Sequence, residues 1–226
     1  MLVLGVDTSG KSGGVTLAEA GESGFRVLAS GAIEGGTFSA QLVPTVAALL
    51  KKTKLGIGDV DGLAAVSGPG SFTGLRVGLS AVKGLAEVLH KPIATVSLLE
   101  ALATSSHQNG KIITALDAGR SEVFYGLYQI ESGNMTCLNE QLLSANDLIE
   151  QAREQEIALT LTSDPALAEK LSTSGMQARL IERPDSSLIA RIGAHKLRAG
   201  QTVSVEALDA NYLRRSDAEI FFKGSR

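Results

Sequence analysis

Two stretches of the chain follow one plan. VLGVD–TSGKSGG–VTLAEA near the start and KIITALD–AGRS–EVFYGLYQI from Lys111 each carry an apolar run ending in aspartate, a short turn of small residues, and a second strand-like run. Apolar runs bounded by Gly, Ser and Asp clusters read as β-hairpins. A plan used twice predicts two lobes of similar construction. Helix–strand alternation continues to about residue 200, so each lobe is expected to be a mixed β-sheet covered by helices. The boundary is expected near Asn109-Gly110. That gives lobes 1–109 and 110–226, with the last residues free to return to lobe one. No short-period repeat of the solenoid kind is present.

The first turn raises a conflict. Gly5 to Ser12, GVDTSGKS, satisfies the phosphate-loop pattern G-x-x-x-x-G-K-[ST]. That pattern works when a strand runs into it and a helix starts at the Gly-Lys, so that the helix amides face the phosphates. Here Gly13 and Gly14 follow, each unfavourable in a helix by about 1 kcal/mol relative to alanine. A β-branched run, Val15 to Ala20, comes next. The context predicts a hairpin, and with Phe25 to Ile33 a three-strand meander. A hairpin tip of Asp, Thr, Ser and Gly is also what the actin, Hsp70 and sugar-kinase superfamily uses near a nucleotide phosphate. Asp7, Thr8 and Ser9, with Asp117 in the second lobe, are therefore candidate remnants of a nucleotide loop. An ordinary turn accounts for the same residues, which favour turns for local reasons.

Further along, Ser39 to Lys52 places Leu42, Val43, Val46, Leu49 and Leu50 at helical spacing, and Pro44 is placed in the tolerant first turn. Gly62 to Ser67 and Ile93 to Val96 read as strands, with Ser97 capping a helix to about Ser106. Between the strands lies SGPGSFTGLRVGLSAVKGLAEVLH. Gly68-Pro69-Gly70 makes a turn, Ser71 is a helix N-cap, and Phe72 to Leu89 is helical. Apolar residues wrap most of this helix, so it is expected to be buried on more than one side. Gly74 and Gly78 leave a bare stripe that another backbone can approach. The expected partner surface comprises Phe72, Leu75, Arg76, Gly78, Leu79 and Val82 of this helix, with Leu42 and Val46 of the earlier one. A nucleophile at Ser71 is disfavoured, because G-S-F-T-G lacks the offset of the G-x-S-x-G elbow.

Charge and cysteine content narrow the function. The chain carries 21 basic and 24 acidic side chains, net −3, which gives no autonomous grip on nucleic acid. Its one cysteine, Cys137, permits no intrachain disulfide and no thiolate zinc cluster. His90, His107 and His195 are scattered, with no i, i+4 pair, so no metal site is expected. The N-terminus lacks a signal-peptide pattern, and no apolar stretch spans a bilayer. A cytoplasmic protein is expected.

GPGSFTGLRVGL resembles the signature of the TsaB family of bacterial tRNA threonylcarbamoyladenosine biosynthesis proteins. VLGVDTS resembles that family's opening strand and loop. LDAGRSEVFYGLY, Leu116 to Tyr128, resembles its second-lobe segment, and NYLRR, Asn211 to Arg215, its C-terminal Y-L-R. Residues 131–205 carry little of the likeness. Two departures stand out. Phe38 occupies the place of a family histidine, so no role of that histidine transfers, and Gly119 precedes Arg120 where the family usually begins with arginine. The resemblance implies an actin-like (ASKHA) two-lobed α/β fold. It implies a non-catalytic subunit that forms a heterodimer with TsaD, works with the ATPase TsaE, homodimerises when alone, and meets tRNA only through the complex. No cofactor is then required by this chain, and ATP or ADP would belong to the assembled complex. The competing readings are an ATP-using enzyme, kinase-like or P-loop, and a peptidase. The absent histidine pair speaks against the last.

Overall fold

The computed structural model of the 226-residue chain describes residues 1–22, 24–106, 108–132, 134–157, 159–211 and 213. Tyr212, Arg214 and Arg215 of the C-terminal motif, and His107, lie outside the described residues. The elements run β1 (Leu2–Asp7), β2 (Ser12–Gly21), β3 (Gly24–Glu34), α1 (Phe38–Thr53), β4 (Gly62–Gly68), α2 (Phe72–Leu89), β5 (Ile93–Ser97) and α3 (Leu98–Thr104). The second series is β6 (Gly110–Gly119), β7 (Glu122–Glu131), β8 (Asn134–Ser144), α4 (Ala145–Glu154), β9 (Leu159–Thr162), α5 (Pro165–Thr173), β10 (Gln177–Leu180) and α6 (Ser186–Arg198).

The strands form two five-stranded sheets of one topology, β3-β2-β1-β4-β5 and β10-β9-β6-β7-β8. In each, the first three strands are an antiparallel meander and the last two join in parallel. This is the actin-like plan, executed twice.

The chain divides differently from the expected 109/110 boundary. One unit is Met1–Leu98 with Pro184–Asn211, and the other contains Leu99–Arg183. The reason is packing. Leu99, Leu102 and Ala103 of α3 bury against Tyr128 of the second sheet, so the boundary falls just after the first residue of that helix. Helix α6 lies on the first sheet, so residues 184–211 belong there. Asp185 caps α6, accepting from the Ser187 and Leu188 amides at 3.0 Å each. Burial pushes its carboxyl up, but these bonds and the Ser187 hydroxyl outweigh that and hold it below its ordinary value.

Alternation along the first sheet explains its two layers, since successive side chains point to opposite faces. Gly5, Gly14, Thr16, Gly62 and Ala64 lie on the α6 face. A Cβ at Gly5 would crowd Ala190, one at Gly62 would crowd Leu197, and Gly193 of α6 in turn sits against Ala64. Small residues on both sides let this helix lie close, and Thr16 Oγ1 and Ser186 Oγ share a buried hydrogen bond of 2.8 Å. The other face carries Leu4, Val6, Val15, Leu17 and Leu63, all buried, and receives α1 and α2. Pro44 is in the second turn of α1, not the first. It removes a donor for the Ala40 carbonyl on the exposed side of the helix, where water can replace it.

In the second unit, Ile113, Ala115, Val123, Tyr125 and Leu127 pack against Leu148 and Ile149 of α4 and Leu167 and Leu171 of α5. Burial pushes the Tyr125 phenol pKa up.

Candidate functional site

The phosphate-loop pattern sits in a hairpin. β1 ends at Asp7 and β2 begins at Ser12, paired antiparallel with Asp7 opposite Gly14. No helix starts at Lys11-Ser12, so the stretch lacks the amide array that a P-loop offers. Lys11 is exposed. Asp7, Thr8 and Ser9 are buried. Asp7 Oδ1 accepts from the Ser9 amide at 2.8 Å and the Ser9 hydroxyl at 2.5 Å, a turn in which the side chain closes on its own backbone.

That loop is held against the start of α2. The Ser71 amide donates to the Ser9 carbonyl at 2.7 Å, and the Ser71 hydroxyl caps α2 by accepting from the Gly74 amide at 3.3 Å. The Thr8 hydroxyl donates to the Gly74 carbonyl at 2.7 Å. A Cβ at Gly70 would collide with the Ser9 carbonyl oxygen, one at Gly74 with the Thr8 carbonyl oxygen, and one at Gly78 with the Thr8 hydroxyl. The bare stripe does admit a close backbone, as its spacing predicts, but that backbone is the chain's own loop.

The partner surface expected from sequence is corrected accordingly. Leu75, Gly78, Leu79 and Val82 of α2 and Val46 of α1 are buried within the unit, and Leu42 of α1, though buried, lines a groove between the two helices. With Gly78 facing Thr8, the residues roughly half a turn away face outward, at 3.6 residues per turn. Phe72 and Arg76 are exposed, as expected for a surface role, and the Arg76 guanidinium stacks 3.9 Å from the Phe72 ring centroid.

The outward faces of α1 and α2 enclose a groove of about 510 Å³. From α1 it takes Phe38, Ser39, Leu42 and Val43, and from α2 Phe72, Thr73, Arg76, Val77, Ser80 and Ala81. Arg76 is the one charged residue in this lining. Val43 is 67% exposed and Val88, farther along α2, 78%. Phe38, standing where the family places a histidine, is buried beside Gly13. Val77, Thr73, Ser80 and Ala81 went unassigned from sequence because α2 is apolar nearly all round. Placing the glycine stripe inward on a helical wheel turns Thr73 and Ser80 outward and leaves Val77 and Ala81, both half-buried, on the flank.

The other sequence candidates do not join this groove. Asp117 is exposed at the end of β6 in the second unit and accepts from the Gly119 amide at 3.2 Å. Arg120 and Ser121 carry the β6–β7 turn at positive φ, 56° and 63°. Among the described residues, no three His, Cys, Asp or Glu side chains converge as metal ligands, and no helix is long and apolar enough to cross a membrane.

Comparison with known proteins gives a consistent picture. Residues 35–218 match the family model of TsaD, tRNA N6-adenosine threonylcarbamoyltransferase. The chain is 32% identical over 190 residues to the tRNA threonylcarbamoyladenosine biosynthesis protein TsaB of Bacillus subtilis strain 168, covering 80% of this chain and 81% of that protein. It is 26% identical to TsaB of Haemophilus influenzae strain Rd, covering 95% and 94%. Among solved structures, an uncharacterized protein with similarity to peptidase YeaZ from Pseudomonas aeruginosa superposes with a TM-score of 0.73 at 25% identity, over 94% of this chain and 99% of that one.

Proposed function

The chain belongs to the TsaB family and takes part in tRNA threonylcarbamoyladenosine biosynthesis, and from that premise we propose that it is a non-catalytic subunit that activates TsaD by docking through the α1–α2 groove. The observation that carries this reading is the groove itself: two long helices side by side, apolar along the cleft and open to solvent. Two helices of a partner laid across it would complete a four-helix packing. Ser39, Ala40, Ala47, Ser80, Ala81 and Gly84 on the outward faces are small enough to permit interaxial distances at the short end of the usual 8–10 Å.

On this reading TsaD carries the transfer chemistry, TsaE joins the assembled complex, and a second copy of this chain covers the groove when TsaD is absent. The chain itself requires no cofactor, and any ATP or ADP enters with the complex. With a net charge of −3, grip on tRNA belongs to the assembly. A P-loop NTPase reading is not supported by a hairpin at Lys11-Ser12.

The test is co-purification with the cognate TsaD and a threonylcarbamoylation assay on tRNA. Val77→Glu places a charge on the wall of the groove without entering the core. It is expected to stay folded, lose at least tenfold in affinity for TsaD, and lose activation in parallel. A folded Val77→Glu protein that binds and activates TsaD normally would remove the groove from the function.

A further inference from the structure

We infer that Thr8 is the positioning residue of the groove: its hydroxyl, seated between Gly74 and Gly78, fixes the rotation of α2 about its own axis and so sets the wall that a partner meets. This rests on the groove being the docking surface.

The argument begins with what the inner side of α2 lacks. Facing the β1–β2 loop are Gly74 and Gly78 within the helix and Gly70 just before it, with no side chain to interlock. A smooth helix side resists rotation and sliding poorly, because helix packing is registered by ridges entering grooves. Thr8 supplies the missing ridge from the opposite partner. It is buried, its Oγ1 donates to the Gly74 carbonyl at 2.7 Å, and the space it fills is the one a Gly78 Cβ would occupy. The loop that presents Thr8 is itself fixed, by the Asp7 carboxylate on Ser9 and by the Ser71 amide on the Ser9 carbonyl.

The same part of α2, extended to nearly three turns, forms its wall of the groove. Every α2 residue lining the groove falls between Phe72 and Ala81, and the Thr8 niche lies at the centre of that stretch. At 3.6 residues per turn, Arg76 projects from the side almost opposite Gly74 and Gly78. A rotation of α2 that closed the niche would swing Phe72, Arg76 and Val77 relative to Val43 of α1. Thr8 therefore acts on a partner that it never touches.

The experiment compares Thr8→Ser, which keeps the hydroxyl, with Thr8→Val, which keeps the shape and loses the donor. Association with cognate TsaD, and self-association by sedimentation, are measured at a temperature where each variant is fully folded by circular dichroism, so that lost stability cannot mimic lost affinity. Thr8→Val is expected to weaken association about tenfold, with Thr8→Ser within about threefold of the parent. Unchanged association of Thr8→Val overturns the inference, as does a loss in Thr8→Ser equal to that in Thr8→Val. Should Thr8→Val fail to fold, Thr8→Ala is read by the same criteria. Val77→Glu runs alongside. If it associates normally, the groove reading falls and this one with it. If it is impaired while Thr8→Val is not, the role of Thr8 alone falls.

Discussion

The two units share a sheet and differ in what they build on it. Their meanders share one irregularity and differ in another: β3 carries one extra residue, Leu28, where its ladder to β2 shifts, and β8 carries Leu138 at the corresponding shift against β7, while the shift at Asp117–Gly119 of β6 has no counterpart in β1. The helices diverge. α1 and α2 have 16 and 18 residues, while α4 and α5 have 10 and 9. The first loop diverges too. In the first unit it is buried and bonded beneath α2, whereas in the second Asp117 is exposed on a turn of positive-φ residues. Buried hydroxyls divide in part the same way, although Thr162 and Tyr128 of the second unit are hydrogen-bonded, to the Asp164 amide and the Glu140 carboxylate. Thr8 and Thr16 are hydrogen-bonded, while Thr114, Tyr125 and Thr160 find no partner among the described residues. An unpaired buried hydroxyl costs stability that a paired one does not. The first unit thus carries long helices on its sheet, and the second carries shorter ones on a sheet of the same topology.

The largest test of that contrast is steric. Gly74→Val puts a branched side chain against the Thr8 carbonyl, which is backbone and cannot step aside. Denaturant unfolding is expected to show a loss of at least about 3 kcal/mol. Asp117→Ala, in the exposed loop of the second unit, is expected to cost less than about 1 kcal/mol. Equal losses would mean that the two first loops are not differently employed.

The next test concerns surfaces. Val43 in the first unit and Leu180 in the second are both exposed apolar side chains, at 67% and 52%. Neither Val43→Glu nor Leu180→Glu should change the melting temperature appreciably. Val43→Glu is expected to weaken self-association and TsaD binding by roughly a hundredfold, about 2.7 kcal/mol, and Leu180→Glu to leave both unchanged. Sedimentation and titration calorimetry would read the difference, and an effect of Leu180→Glu would move the association surface to the second unit.

The smallest expected effect is a gain. Tyr125→Phe removes a buried hydroxyl that has no partner, so thermal unfolding should show unchanged stability or a rise of up to about 1 kcal/mol. A clear loss would mean that the hydroxyl is satisfied, and the contrast in buried polar groups would fail.

Much of this was legible in the sequence. The doubled strand–turn–strand plan determined the two meanders, because period-two alternation and Gly-rich turns are local signals that need no knowledge of distant residues. The same locality decided between P-loop and hairpin, since Gly13, Gly14 and Val15 disfavour a helix on their own account. It also determined that Ser71 caps α2 and that Gly74 and Gly78 form a stripe for a close backbone. Tertiary structure alone decided which backbone. A helix apolar around most of its circumference has no outward side by composition, and only the arrival of Thr8 at Gly74 and Gly78 turns Arg76 and Ser80 to solvent. The unit boundary was likewise settled by packing. Nothing in the residue spacing of α3 or α6 says which sheet either helix covers. The small residues Gly5, Gly62 and Ala64 fit α6, and Tyr128 receives Leu99 and Leu102, because burial rewards complementary shape, which sequence spacing does not encode.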